Sequence, residues 1–351
     1  MKISETVFAA DVRLQPESMA EALHFFEEQN YDEAIRQLAQ TRHRRIVLTG
    51  MGSSYAACIN AGAMLRNAGL NVFTEVTSDL LHYHREMLTE DTLLVMVSQS
   101  GQSGEITELI GVLPETLPVI AVTNNEDCAL TKRAAMTLLM HVAPENIVST
   151  RSYLSSQMLM YLFAQAYLGT PKEKLWEDLR QSLAYLGQAV DAFDAMQEQM
   201  RSYMGVPAYL SLIARGWSYT TAEGGALFIK EGAKMPAIAF ESAQFRHGPI
   251  ELVSDGFAAM VFIPGGRCAQ LQQRIAEEIC AYGGKVVVVA EEGVELQGLE
   301  AALILRQRYV SQELAPLVNI VPVQAFIDYA AKDQGFDSGS FRCGSKVTDT
   351  Q

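Results

Sequence analysis

The sequence predicts an α/β fold built from two tandem, doubly wound parallel-sheet domains joined by helices. Three observations carry this. Short apolar runs alternate with helical periodicity along most of the chain. One of those runs, Leu93-Leu-Val-Met-Val97, is apolar without interruption, as in a parallel strand buried on both faces. The pattern also occurs twice in 351 residues, a length that accommodates about two domains of roughly 150 residues.

The elements follow in order. Leu23, Phe26, Ala34 and Leu38 fall near helical spacing, so the segment 1–40 is read as helical. Arg45–Gly50 is a strand, Ser53 to Leu65 a helix stopped by Asn67-Ala-Gly69, and Asn71–Val76 a second strand. Leu93–Val97 is a strand, Ser103–Leu113 a helix, and Pro118–Val122 and Met136–Met140 are strands. These make a first domain, 41–170. Helical sequence runs from Ser152 to about Met204 with a break near Pro171, giving a linker at 171–204. The alternation resumes in a second domain, 205–335, with strands at Tyr209–Ile213, Ala237–Phe240, Ala258–Phe262, Lys285–Val289 and Ala302–Leu305, and a helix over Gln312–Ala331. A Gly/Ser-rich tail, 336–351, ends the chain.

The second half repeats the first. Val47-Leu-Thr-Gly-Met-Gly-Ser-Ser-Tyr55 matches Ser211-Leu-Ile-Ala-Arg-Gly-Trp-Ser-Tyr219. One offset of 164 pairs Gly52 with Gly216, Ser54 with Ser218, Tyr55 with Tyr219 and Ser78 with Ser242, which implies duplication of one α/β unit.

Composition narrows the partners. The 41 acidic and 27 basic residues leave a net charge of −14, which argues against nucleic acid and against an anionic membrane surface. No run reaches the roughly 18 apolar residues of a membrane span, and acids come too early for a signal peptide. Five scattered cysteines without a CxxC pair make disulfide and zinc frameworks unexpected; His82 and His84 alternate without an evident third ligand. The expectation is a cytoplasmic protein with neither metal nor cofactor.

Two loops can hold an anion. Gly50-Met-Gly-Ser-Ser54 lies between a strand and a helix, where Gly52, Ser53 and Ser54 allow close backbone approach to a ligand; an ordinary helix cap reads equally well. Ser98-Gln-Ser-Gly-Gln-Ser103 follows the buried strand and brings three hydroxyls and two amides to the strand's C-terminal end, where ligands of open α/β sheets bind. Ser103 as a plain N-cap is the bland alternative. In the second repeat the corresponding strand runs into Ile263-Pro-Gly-Gly266, with no such loop. By residue type alone, Glu231 is a helix-end acid beside Lys230 and Lys234, and His247 a turn residue.

Together the two loops resemble the sugar isomerase (SIS) domain family, whose flavodoxin-like domains bind phosphosugars. The resemblance covers about 40–345. It implies phosphosugar contacts at Ser54, Ser98, Gln99, Ser100 and Ser103, and at Ser149 in Asn146-Ile-Val-Ser-Thr150. Ala226-Leu-Phe-Ile-Lys-Glu231 and Gln244-Phe-Arg-His-Gly-Pro249 resemble the isomerase half of glucosamine-6-phosphate synthases. That implies Glu231 as the base moving a proton between C1 and C2, and His247 as the ring-opening acid/base reaching in from a second subunit of a homodimer or higher oligomer. The departures point elsewhere within the family. The synthases' glutaminase domain has no counterpart here. Their lysine before the Lys-Glu pair is Phe228. Their tail lysine, which forms a Schiff base with the ketose, aligns with Ser345, leaving Lys346 one residue away as a tail contact. A substrate that already holds the C–N bond needs no such lysine, so the expected activity is that of the fructosamine (fructoselysine or glucoselysine) 6-phosphate deglycases, acting on a phosphorylated sugar–amine. An aminosugar-phosphate deaminase or aldose–ketose isomerase is the alternative, and a non-catalytic phosphosugar sensor the remote one.

Overall fold

The computed structural model describes residues 5–41, 43–343, 345 and 346. Val347 and Thr348, through which the tail is matched to place Ser345 at the synthases' lysine, lie outside the described residues. In chain order the first half contains α1 (Val7–Arg13), α2 (Gln15–Glu28), α3 (Tyr31–Ala39), β1 (Arg45–Gly50), α4 (Ser53–Asn67), β2 (Val72–Val76), α5 (Thr77–His82), β3 (Thr92–Val97), α6 (Gly104–Val112), β4 (Val119–Thr123), α7 (Ala129–Arg133), β5 (Met136–Leu139) and α8 (Arg151–Tyr167). The second contains α9 (Lys172–Asp191), α10 (Phe193–Met204), β6 (Leu210–Ala214), α11 (Tyr219–Gly232), β7 (Ala237–Glu241), α12 (Ser242–Arg246), β8 (Ala258–Ile263), α13 (Ala269–Ala281), β9 (Lys285–Glu291), β10 (Leu303–Gln307) and α14 (Ala315–Asp333). The strands expected from the sequence all form, with ends agreeing to within two residues. The sequence reading leaves out α5, α7 and α12, which are too short to show a 3.6-residue period, and α13, whose buried stripe of Gln272, Ile275, Ala276 and Ile279 opens on a glutamine.

Two compact units result. Among the described residues, one joins those up to Pro16 with Gln181–Phe341; the other joins those of Glu17–Arg180 with those from Arg342 to Lys346. In the latter, five parallel strands lie in the order β2-β1-β3-β4-β5. β1 connects outward to β2 on one side while β3 lies on its other side, so the crevice between β1 and β3 is the topological switch point of a flavodoxin-like sheet. Val47, Leu94, Met96 and Ala121 point to one face and pack under Leu80, Ile106 and Leu109 of α5 and α6. On the other face α4 packs on β1 and against α8, nearly all of whose residues are buried.

The other unit has the same order, β10-β9-β8-β6-β7, also parallel. Its core on one face gathers Ile213, Ala259, Val261, Val286 and Val288 with Ile275 and Ile279 of α13. Every residue of α14 from Ala315 to Ala331 is buried, the polar Asn319, Gln324 and Asp328 included.

The offset between repeats is 164 at the first turn, where Gly52 and Gly216 both take positive φ (53° and 60°). It is 164 again at the last helix, Arg151 against Ala315. Between them it drifts: β2 and β7 begin at 72 and 237, 165 apart, and β5 and β10 at 136 and 303, 167 apart. By strand register Val76 corresponds to Glu241, because Gly50 pairs with Val76 and Ala214 with Glu241. Ser242 is therefore the counterpart of Thr77, and the sequence pairing of Ser78 with Ser242 is one residue off.

Candidate functional site

β1 and β3 end side by side, Gly50 opposite Val97, so the loops that follow them share one edge of the sheet. Gly52 is the residue before α4, Ser53 opens the helix, and Ser54 is buried in its first turn. A Cβ on Gly50 would lie 2.8–2.9 Å from Ser54 and Tyr55 atoms, so only glycine lets the helix start this close to the strand end.

The Ser98–Ser103 loop is held by its own polar groups and by the loop after β4. The Ser98 amide donates to the Val122 carbonyl (2.9 Å), and the Gln99 carbonyl accepts from the Asn124 amide (3.0 Å) and the Thr123 hydroxyl (3.2 Å). Asn125 Nδ2 donates to the Ser100 carbonyl at 3.2 Å. The hydroxyls of Ser98 and Ser100 accept from the amides of Gly101 (3.1 Å) and Gln102 (3.3 Å). A hydroxyl that accepts in this way keeps its proton for another acceptor. Ser103 stands at the N-cap of α6 with extended backbone, yet its side chain makes no cap hydrogen bond. The loop therefore directs hydroxyl donors and a helix N-terminus to the switch point, an arrangement suited to an oxyanion. Asn124, Asn125 and Thr123 were not singled out from the sequence; polar residues directly after a central strand were the available signal.

Ser149 lies in the loop between β5 and α8, and here the structure adds a formal charge. Lys346 Nζ donates to Ser149 Oγ (3.2 Å), to the Ile147 carbonyl (3.0 Å) and to Glu145 Oε2 (2.9 Å), three acceptors for three protons. Glu145 is 1% exposed at its side chain. Its other oxygen accepts from the Thr150 amide and hydroxyl and the Ser152 amide, closing the N-terminus of α8. Burial pushes the Glu145 carboxyl up, but the Lys346 charge and the Ser152 hydrogen bonds outweigh it, so it titrates below the usual carboxylate range. Glu145 was missed because a glutamate in a loop carries no periodic signal.

The corresponding crevice of the second repeat is filled by the protein itself. A Cβ on Gly265 would fall 2.4 Å from Glu291 Oε2, and one on Gly266 1.8 Å from Gln312 Nε2, so those side chains lie directly on the glycine turn. Burial holds the Glu291 carboxyl above its ordinary pKa. Ser218, the counterpart of Ser54, accepts from Asn319 Nδ2 at 3.4 Å. A carboxylate in this position disfavours an anion.

Glu231 is the penultimate residue of α11, and its carbonyl accepts from the Lys234 ammonium, which also donates to the Ser340 carbonyl. His247 follows α12 and is exposed, with its amide donating to the Gln244 carbonyl (3.0 Å). Between them runs β7. A helix that precedes a parallel strand ends at the strand's N-terminal edge, so Glu231 lies before β7 and His247 after it, with the whole five-residue strand and α12 between them in the chain. His84 contacts Glu75 (3.1 Å), and among the described residues no group of three His, Cys, Asp or Glu side chains is placed to hold a metal ion. No helix of the described residues is long and apolar enough to cross a membrane.

With duplicated sheets and polar switch-point loops in place, comparison with known proteins is decisive. The SIS domain model matches residues 39–166 and 209–331. The chain belongs to the SIS domain family. It is 28% identical over 305 residues to the isomerizing glutamine–fructose-6-phosphate aminotransferase of Pseudomonas putida, covering 84% of this chain and 50% of that protein. The chain thus spans about half the length of the curated relatives it matches. Among solved structures, the C-terminal domain of glucosamine-fructose-6-phosphate aminotransferase from Francisella tularensis superposes with a TM-score of 0.82 at 19% identity, covering 97% of this chain and 99% of that one. The tagatose-6-phosphate ketose/aldose isomerase of Escherichia coli superposes with a TM-score of 0.81 at 17% identity, covering 95% of each. At these identities the superpositions establish the fold.

Proposed function

We propose that this SIS protein is an enzyme that splits a 6-phosphorylated sugar–amine adduct, of the fructoselysine or glucoselysine 6-phosphate type, into a hexose 6-phosphate and a free amine. Ser54, Ser98, Gln99, Ser100 and Ser103, with Gly52, Ser53 and Ser149, hold the phosphosugar. His247 assists ring opening by moving the proton between the ring oxygen and the anomeric hydroxyl. Glu231 then takes the C1 proton of a ketose adduct, and the electron pair forms an enaminol. Return of the proton to C2 leaves an imine at C1, which water cleaves to an aldehyde and the amine. An adduct with nitrogen on C2 runs the transfer in the other direction and yields the ketose. One well-placed acid–base group contributes about 10²–10⁴-fold.

The observation that carries the deglycase reading is the engagement of Lys346. Its three protons are donated and its charge is paired with Glu145, so its nitrogen is not a free nucleophile, and Phe228 is buried where the synthases carry a lysine. Both favour a substrate that brings its own nitrogen. The length of β7 between Glu231 and His247 favours a second copy of the chain supplying His247, hence a homodimer or larger assembly. A product assay on 6-phosphorylated fructosyl- and glucosyl-amino acids tests the reading: Glu231→Gln abolishes and His247→Ala lowers release of the amine. Unchanged turnover of every adduct in both variants refutes it. A second reading, an aldose–ketose isomerase or aminosugar-phosphate deaminase, is favoured by the similarity to isomerizing aminotransferases, and release of ammonia, or of no amine, in place of an amino acid would select it.

A further inference from the structure

The backbone that presents His247 is held by a brace absent from the first repeat. Arg215, the residue after β6, donates through Nε to Glu241 Oε1 at 2.9 Å. Glu241 Oε2 accepts from the amides of Ala243 (2.8 Å) and Gln244 (2.9 Å), capping α12. One carboxylate thus ties the end of β6 to the helix that leads into His247. From the other side, Phe245 is buried in the core and Arg246 pairs with Glu278 of α13. Beyond His247, Gly248 (φ 135°) and Pro249 open a short 3-10 turn.

The duplication serves as an internal control. The counterparts of Arg215 and Glu241 are Met51, by the turn offset, and Val76, by strand register. Val76 cannot cap, yet α5 forms after it all the same. The fold of this unit therefore does not require the Arg–Glu pair; the repeat that has it is the repeat that bears His247. Five-residue helices have little intrinsic stability, so an ionic cap is an effective way to keep an exposed side chain in one place.

We propose that Arg215 and Glu241 are positioning residues that hold His247 in the geometry ring opening requires. This rests on the reading of His247 given above. The test uses the full chain with 6-phosphofructosyl-lysine, glucosamine 6-phosphate or fructose 6-phosphate, whichever the wild type converts, together with a deoxy analogue of that compound. The 5-deoxy analogue of either ketose cannot cyclise, because O5 is missing and O6 carries the phosphate; for glucosamine 6-phosphate the 4,5-dideoxy analogue is used, because O4 of an aldose would otherwise close a furanose. Since a displacement of about 1 Å can cost 10²-fold, Glu241→Ala and Arg215→Ala are expected to lower kcat about 10- to 100-fold on the natural compound, with KM within about two-fold. On the analogue, these variants and His247→Ala match the wild type, while Glu231→Gln stays inactive on both. Independently, hydrogen exchange at Ala243 and Gln244 accelerates in Glu241→Ala while the rest of the chain keeps its protection. Equal losses on natural compound and analogue would mean general damage and overturn the proposal, as would wild-type kcat or unchanged protection in Glu241→Ala. If His247→Ala itself turns over the natural compound normally, or if the wild type converts neither these three nor any other 6-phosphorylated fructosyl- or glucosyl-amino acid, the functional reading falls and the role of the brace falls with it. If His247→Ala is impaired and bypassed while Glu241→Ala is not impaired, the brace alone is refuted.

Discussion

Replacing Lys346 by methionine removes a charge from a buried pair and keeps most of the side-chain length. Lys346 is 19% exposed and Glu145 1%. Breaking a buried pair costs about 3–5 kcal/mol when the survivor is left unsolvated. Here Glu145 keeps its bonds from Thr150 and Ser152 and sits at the N-terminus of α8, so the cost falls to about 1.5–3 kcal/mol, the range for one hydrogen bond to a charged group. Glu145→Ala strands the lysine and the helix-end donors together and should cost more, about 3–5 kcal/mol. At about 2–4 °C per kcal/mol for a unit of this size, Lys346→Met lowers Tm by about 3–12 °C. The pH dependence follows from the depressed folded-state pKa of Glu145. A carboxyl of this kind stabilises fully above its unfolded value, about 4.3, and loses that stabilisation as pH falls through the lower folded value. Without Lys346 the folded value rises, so the acid-unfolding midpoint moves to higher pH, and the gap between variant and wild type is widest above about pH 5. The assay is thermal unfolding followed by circular dichroism from pH 3 to 8. A Tm within about 1 °C of wild type and an unmoved acid midpoint would refute the reasoning, as would Lys346→Met proving more damaging than Glu145→Ala.

Ser103→Ala tests whether that hydroxyl serves a ligand or the fold. Loss of a capping serine costs about 1 kcal/mol, but Ser103 makes no cap bond, so the urea midpoint should stay put while KM for the phosphosugar rises. Gly101→Ala places a Cβ 2.3 Å from the buried Cys128 sulfur at φ +64°; strain and overlap together should cost about 2–4 kcal/mol, and Cys128→Ala added to it should recover the overlap but not the strain. Asp328 is fully buried and accepts from Thr6, Gln197, Lys332 and Ser338; burial raises its pKa, the Lys332 and Thr6 bonds outweigh that, and the group titrates below the usual range. Asp328→Asn offers one acceptor oxygen in place of two and is expected to lower the urea midpoint by the equivalent of about 3 kcal/mol, less at pH 3 than at pH 7.

Much of the architecture was legible from contiguous residues. A parallel strand buried on both faces must be a short apolar run, so β3, β8 and β9 announce themselves. The turn after β1 needs small residues and a positive φ, so Gly52 and Gly216 mark both repeats. The Ser98–Ser103 loop stood out because six polar or small residues follow a fully apolar strand. The drift of the repeat offset from 164 to 167 was not legible, since insertions in loops leave the strand pattern intact.

The sequence by itself determined the two α/β units, the strand ends and the loops they carry, because period and turn chemistry reside in neighbouring residues. Only the tertiary structure decided which distant groups meet. It brought Lys346 to Ser149 across 197 positions, placing an ammonium on one of the hydroxyls expected to contact the phosphosugar. It laid Glu291 and Gln312 over the glycine turn of the second crevice, put the length of β7 between Glu231 and His247, and joined Arg215 to Glu241. Each of these depends on strand order and on where loops close over a sheet edge. Such contacts form between residues far apart in the chain, and no local pattern encodes them.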